Sequence, residues 1–528
     1  MKKIFNLIIG TLLCVSCGDF LQEYSQDLTY ANSCADLDEI LIGNGYMKQS
    51  ENSNVFYYGE NYGYYPYLHL MDDDSEECLT GRVNLGFPNP VYYMRGFYSW
   101  AKNPFTDYNG SIFTDADWKR MYQHVGYLNV IISYVKEFSD EPEEIRRRIK
   151  GEALFLRAGY YFMLVNLYAK PYVKGTAALD MGVPLNLTEY IEAKFFSRAS
   201  VATVYQQITT DLKDAITNLA GIKQPTIYRA DEIAARALLS RVYLYMGEWQ
   251  LTIDECNKIM ELGCKLRDLN DFNAGNGVPG GSEREYFNMS NSPEIFFTQG
   301  SSTVGMLLDN KYSTTRYRIS DELCALYSKY EEQGIKDLRK TCFLEKSRTY
   351  GESSYYYMRK SPEMQYEGYE YVLPKPTVFD SFILRAAEVY LNKAEAEAML
   401  DQPETANTMQ AFMDKRYADH KYPSIAGLNG KNMVEFIREE RRKELSFEGH
   451  RWFDLRRYAV SPKYPEKKSI SHATYRSAVN YGEKAPLDRI YTLKPYGEDN
   501  AWVLPLPPEE LVFNNGVLVD NPTRTERN

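Results

Sequence analysis

Residues 441–458 read RRKELSFEGHRWFDLRRY, with charges of both signs interleaved among Leu, Phe, Trp and Tyr. Such a run could serve as a nucleic-acid stripe, a catalytic helix or the seam of a scaffold. Between Glu435 and Arg457 the acids are Glu435, Glu439, Glu440, Glu444, Glu448 and Asp454, and the bases are Arg438, Arg441, Arg442, Lys443, Arg451, Arg456 and Arg457. The signs nearly cancel, whereas a nucleic-acid footprint is one-signed. On a helix Val434, Ile437, Arg441 and Leu445 share a face, Glu439 and Lys443 can pair at i, i+4, and Gly449 ends the helix before Trp452, Phe453 and Leu455. The stretch reads as a packed helical corner held by ion pairs.

Other reactive residue types lead no further toward catalysis. The acidic run Asp72-Asp73-Asp74-Ser75-Glu76-Glu77 could hold Ca2+, but it lacks EF-hand spacing and reads as a solvated loop. Five histidines (His69, His124, His420, His450, His472) show no metal-ligand spacing, and His450 reads as structural. Residues 275–280, GNGVPG, match a phosphate-loop pattern only formally, because Pro279 and Gly281 supply loop chemistry and no helix follows. A glycosidase would need two carboxylates across a cleft; Glu388, Glu395 and Glu397 on an Ala-rich helix read instead as scaffold ion pairs. No catalytic residue, metal or cofactor is indicated. Cys34, Cys78, Cys256, Cys264, Cys324 and Cys342 are scattered and read as buried thiols, with a Cys256–Cys264 pair left open.

The elements that must position these residues are helical hairpins. EALFLRAGYYFMLVNLY (152–168), AARALLSRVYLYMGEW (234–249) and FILRAAEVYLNKAEAEAM (382–399) are helices rich in Ala and Leu, with small residues that allow close packing. Partners follow at 117–138, at 200–219 capped by Ser200, at 249–262 and at 404–417. Repeated hairpins at irregular spacing predict a mainly α, tetratricopeptide-like scaffold over about 117–262 and 380–460. Between them, residues 43–112 and 264–383 are rich in Gly, Tyr, Ser, Asn and Asp and read as long loops with short strands, where binding function usually sits. Residues 484–528 carry six prolines, at 486, 495, 505, 507, 508 and 522, and should wrap over the scaffold in extended form.

The chain begins MKKIFNLIIGTLLCVSC. Two lysines precede an apolar run too short to span a bilayer, which reads as an export signal over 1–16 with Cys17 as the acylated residue of a lipoprotein box. No later stretch is long enough to span. A net charge of -11 removes general attraction for nucleic acid or anionic lipid, so the membrane is met through the lipid alone.

IREERRKELSFEGHRWFDLRRY, together with CGDFLQ, GEALFLRAGYYF, GVPL (182–185), ALLSRVYLYMGEW, SPEIFF (292–297), FILRAAEVYLNKAEA and WVLPLPPEEL (502–511), resembles the SusD/RagB family in order and spacing over nearly the whole chain. VDNPTR (519–524) departs from the family's usual ending. The resemblance implies one body over 17–528: four tetratricopeptide-like hairpins with an inserted ligand region. It implies a lipid-anchored protein on the outer face of the outer membrane that captures oligosaccharide or polysaccharide and delivers it to a SusC-like TonB-dependent transporter, with no catalysis. In a peptide-importing branch the ligand is a peptide; a pure interaction scaffold and a surface glycosidase are the remaining alternatives. A sugar's CH-rich faces stack on aromatic rings while its hydroxyls need planar polar partners. The expected site is Trp100 and Tyr98 as stacking surfaces, Asn103 and Arg82 as polar partners, and Tyr92 and Tyr93 beside them. Tyr286, Tyr312, Arg316 and Tyr317 form a second group. These aromatics could equally fill the interface between loop and scaffold.

Overall fold

A computed structural model describes residues 31–48, 63–79, 90–190, 192–273, 285–308, 315–346, 356–361, 365–367, 370–372, 378–476 and 485–527. The expected signal segment, Cys17, Arg82, Tyr312 and the 275–280 loop lie outside them.

Three of the scaffold helices begin where the sequence supplies a side-chain acceptor for their unpaired backbone donors. After α1 (Cys34–Ile40) and α2 (Pro90–Tyr98), α3 (Ala116–Tyr134) starts at Asp115, whose carboxylate accepts from the N–H groups of Asp117 and Trp118 at 3.1 and 3.2 Å. α4 spans Glu143–Tyr168, and α5 (Val201–Leu219) starts at Ser200, whose hydroxyl accepts from Thr203 N–H at 3.1 Å. α6 (Glu232–Met246) is capped by Asp231. It ends on Gly247 at φ 73°, a left-handed turn that glycine takes without steric cost and that leads directly into α7 (Trp249–Glu261).

Helices α3 and α4, then α5 and α6, form the first two hairpins, and each packs on the next. Helix α7 packs on α6 and on α8 (Ala386–Met399), so the 264–383 insertion leaves after α7 and the chain re-enters the scaffold at α8 beside it. Helices α9 (Glu404–Met413) and α10 (Gly430–Glu444) each pack on α8; α11 (Arg451–Ala459) follows across a sharp turn. The fold is therefore mainly helical with tetratricopeptide-like pairs.

Strands are short and antiparallel: β1 (Ser75–Leu79), β2 (Ile295–Gln299), β3 (Thr315–Ile319), β4 (Phe382–Arg385), β5 (Ile470–Tyr475) and β6 (Leu487–Leu493). β1 pairs with β3, β2 with β4 and β5 with β6. Strand β4 corrects the helix expected over 382–399. Phe382-Ile383-Leu384 is buried on every side, so it carries no periodicity to separate helix from strand, and its β-forming side chains pair with the equally buried β2. The C-terminal wrap runs extended through β6 but not throughout, because it also contains the short α12 (Pro508–Phe513).

The charged stretch around 441–458 is a buried corner. Glu444, at the end of α10, meets Arg416 Nε at 2.9 Å and Arg385 Nη1 at 2.7 Å. Arg416 also holds Glu294 at 2.6 Å, and Glu440 takes Arg339 and Lys443, each at 2.6 Å. Burial pushes the Glu444 carboxyl up, but Arg416, Arg385 and Arg339 overcome it and hold it well below the usual range. Lys443 does not pair with Glu439 as the i, i+4 spacing suggests. It lies on the buried face against Asp337 and Glu440, while Glu439 reaches outward to Lys329.

The acidic run is not a solvated loop either. Asp73 binds Arg451 at 2.7 Å and Asp74 binds Arg442 at 2.7 Å, with all these side chains buried, because β1 draws the run inside. Glu388 and Glu395 pair with Arg241 and Arg457. Cys256 and Cys264 are both free thiols, and burial pushes that of Cys264 up to about 12.

Candidate functional site

Tyr92, Tyr93 and Arg95 of helix α2 are half-buried, and the Arg95 side chain is only 13% exposed. A loop covering 104–112 folds back against it, and Gly96 permits the approach: a Cβ there would stand 2.5 Å from the Pro104 carbonyl oxygen. Tyr108 N–H donates to the Tyr92 carbonyl at 2.8 Å. Asp107 accepts from the N–H groups of Asn109 and Ser111, both at 2.9 Å, so this carboxylate shapes the turn.

The result is a group of three tyrosine rings. Tyr92 meets Tyr93 edge-on at 4.8 Å and lies near-parallel to Tyr108 at 6.4 Å, with Tyr108 38% exposed. The Arg95 guanidinium sits 4.9 Å over the Tyr108 ring, and Asn109 Nδ2 donates to the Tyr92 hydroxyl at 2.8 Å. Arg95 is tethered from behind, donating to Glu77 Oε1 at 3.0 Å and to the Tyr475 carbonyl at 2.9 Å. Burial pushes Glu77 up to about 7 against the opposing pull of Arg95. Such a surface offers half-buried aromatic faces beside amide, hydroxyl and guanidinium donors.

The expected stacking pair lies elsewhere. Trp100 is 0% exposed: its Nε1 donates to the Met71 carbonyl at 2.9 Å and its ring stacks on His472 at 4.3 Å. Tyr98 is also buried, stacked on His472 at 4.1 Å, its hydroxyl accepting from Glu77 N–H and donating to the Ala473 carbonyl. Both rings fill the interface between α2 and β5, so neither offers a face to a ligand. Tyr317 is buried against Tyr98. Asn103 is half-buried and accepts from Phe105 N–H at 3.1 Å, which makes it a loop-shaping residue. Tyr286 accepts from Arg359 at 3.0 Å in a separate region; the Arg316 side chain, Arg82 and Tyr312 lie outside the described residues.

Tyr92 and Tyr93 thus stand at the surface, while Arg95, Tyr108 and Asn109 were missed. The Asp107-Tyr108-Asn109-Gly110 turn is a signal for Tyr108 and Asn109, since its residue types favour an exposed turn, whereas nothing in the sequence singles out Arg95. Among the described residues no group of His, Cys, Asp or Glu is arranged to hold a metal.

Fold and surface together define a class: a tetratricopeptide-like helical protein carrying a loop-rich insertion and an aromatic patch beside its first hairpin. Comparison with known proteins makes the assignment specific. Residues 95–244 match a family described as starch-binding, associating with the outer membrane, and residues 302–523 match the SusD family. SusD-like protein P25 of Formosa agariphila is 23% identical over 505 residues, covering 87% of this chain and 90% of the relative. A crystal structure of a sugar-binding protein from Bacteroides vulgatus superposes with TM-score 0.67 at 22% identity, covering 94% of this chain and 100% of that one. A SusD superfamily structure from Bacteroides thetaiotaomicron gives TM-score 0.66 at 20% identity, covering 93% and 100%. The chain belongs to the SusD/RagB family.

Proposed function

We propose that this chain is a lipoprotein of the outer membrane, anchored through Cys17 and exposed at the cell surface. It captures oligosaccharides and passes them to a SusC-like TonB-dependent transporter, performing no chemistry itself. The observation that carries the reading is the surface cluster of Tyr92, Tyr93 and Tyr108 with Arg95 across one ring. Sugar rings stack on such faces, and the amide and guanidinium groups around them suit hydroxyl recognition. The starch-binding description of the family matched at 95–244, which includes Arg95 and Tyr108, supports the ligand class. Among the described residues no helix is long and apolar enough to cross a membrane, which accords with attachment by lipid.

The test is calorimetric titration of the chain from Gly18 onward against plant, microbial and host oligosaccharides and a protein digest, followed by analysis of the mixtures for cleavage. Binding of one glycan class without new products, weakened by Tyr108→Ala, supports capture at this surface. Cleavage overturns the non-catalytic reading, and binding of peptides alone moves the chain to peptide import.

A further inference from the structure

An open cleft of about 580 Å³ lies between the segment after α7 and helices α8 and α9. It shares no residue with the tyrosine surface, and its volume falls within the range of small-molecule sites, roughly 300–1,000 Å³. Tyr390 of α8 and Tyr422 supply half-buried rings to its walls, and Gln410 of α9 and Lys265 stand exposed at its edge.

These groups are unspent. Among the described residues the hydroxyls of Tyr390 and Tyr422, the Gln410 amide and the Lys265 ammonium make no hydrogen bond or ion pair. The rest of the lining is compensated: Lys415 lies 2.9 Å from Asp268 and 3.1 Å from Asp414. Lys265 is therefore the uncompensated charge of the cleft, a cation in a chain whose net charge is -11. Two rings, a free amide, two free hydroxyls and one free cation around a space of this size match a ring-shaped, hydroxylated ligand carrying a carboxylate.

We propose that this cleft is a second saccharide site, taking one or two sugar units of which one is a uronate, with Tyr390 and Tyr422 bracketing the ring and Lys265 meeting its carboxylate. The assignment is independent of what the tyrosine surface on α2 binds. Because the cleft is open, a short uronate is held weakly there.

The test is titration of the full chain from Gly18 with digalacturonate and with diglucuronate, each beside its neutral counterpart, followed by calorimetry and ligand-observed NMR. The expected result is binding of at least one uronate, weakened about fivefold or more by Lys265→Ala and by Tyr390→Ala, in line with loss of one charge-assisted contact or one stacking face. Tyr108→Ala should leave it unchanged, which separates this site from the tyrosine surface. Tyr390→Phe keeps the ring and guards against misfolding, so a normal melting curve with near-normal affinity is expected. Absence of uronate binding at millimolar concentration, loss of it in Tyr108→Ala, or indifference to both Lys265→Ala and Tyr390→Ala overturns the site. Equal affinity for the neutral counterparts overturns the acidic assignment.

Discussion

Arg95 couples the surface to the interior, since its guanidinium covers the Tyr108 ring while one nitrogen is held by Glu77. Glu77 is buried, its Oε2 has no partner among the described residues, and its carboxyl lies near 7. A folded value raised above the ordinary 4.5 means that its contribution to stability is full below 4.5 and is lost as pH rises through 7. Melting curves between pH 4 and 8 should show that decline, on the order of 2–3 kcal/mol in total. The slope should flatten in Glu77→Gln; an unchanged slope would remove Glu77 as its source. The aromatic residues divide as sharply. Tyr108→Ala should weaken glycan binding about three- to tenfold with little change in stability, as expected for one stacking face. Trp100→Ala should instead cost roughly 3–5 kcal/mol of stability, because it empties a core site and strands the Met71 carbonyl. Denaturant unfolding of each variant, beside its titration, separates the two outcomes. The residue types of the proposed binding face were legible in the sequence, but their direction was not: Tyr92 and Trp100 sit in the same aromatic run, and only the packing of β5 behind α2 decides which is covered.

At the scale of elements, the corner from α10 to α11 works as a fastener. Glu444 is the shared anion for Arg385 and Arg416, with Arg339 at 3.4 Å, and all four side chains are buried. Deleting one partner of a buried ion cluster leaves the others charged and desolvated. Glu444→Ala is therefore expected to lose roughly 3–5 kcal/mol in urea unfolding. Glu439→Ala, which breaks only the half-exposed contact with Lys329, should cost less than about 1 kcal/mol. A similar loss in both variants would show that the cluster carries no special weight. The near-balance of charge already marked this stretch as a seam, because one-signed surfaces repel and balanced ones pair. Its partners Glu294, Asp337, Arg385 and Arg416 come from far along the chain, and no local spacing could name them. Strand β4 shows the same limit: a segment buried on all sides loses the alternation by which strand and helix are told apart.

For the whole molecule, the path of the chain explains why an irregular array is stable. The insertion of 264–383 leaves after α7 and re-enters at α8 beside it, so its two ends emerge side by side and its length costs the scaffold little in loop closure. The C-terminal stretch then returns to the region behind the tyrosine surface. Asn521 donates to the carbonyls of Tyr168 and Leu504 at 2.8 and 2.7 Å. Arg524 donates to the carbonyls of Ala101 and Val503, and Arg527 reaches the Trp100 carbonyl and Asp499. These contacts pin the residues that follow α2 directly, so the last segment braces the support of Tyr92 and Tyr108 without touching either ring. Removing residues 521–528 should therefore lower both Tm and glycan affinity, whereas Tyr108→Ala lowers affinity alone. The discriminating measurement is titration of the truncated chain well below its melting temperature. Affinity restored on cooling would mean that the segment contributes only to global stability, and a persistent loss would place the brace within the binding surface itself.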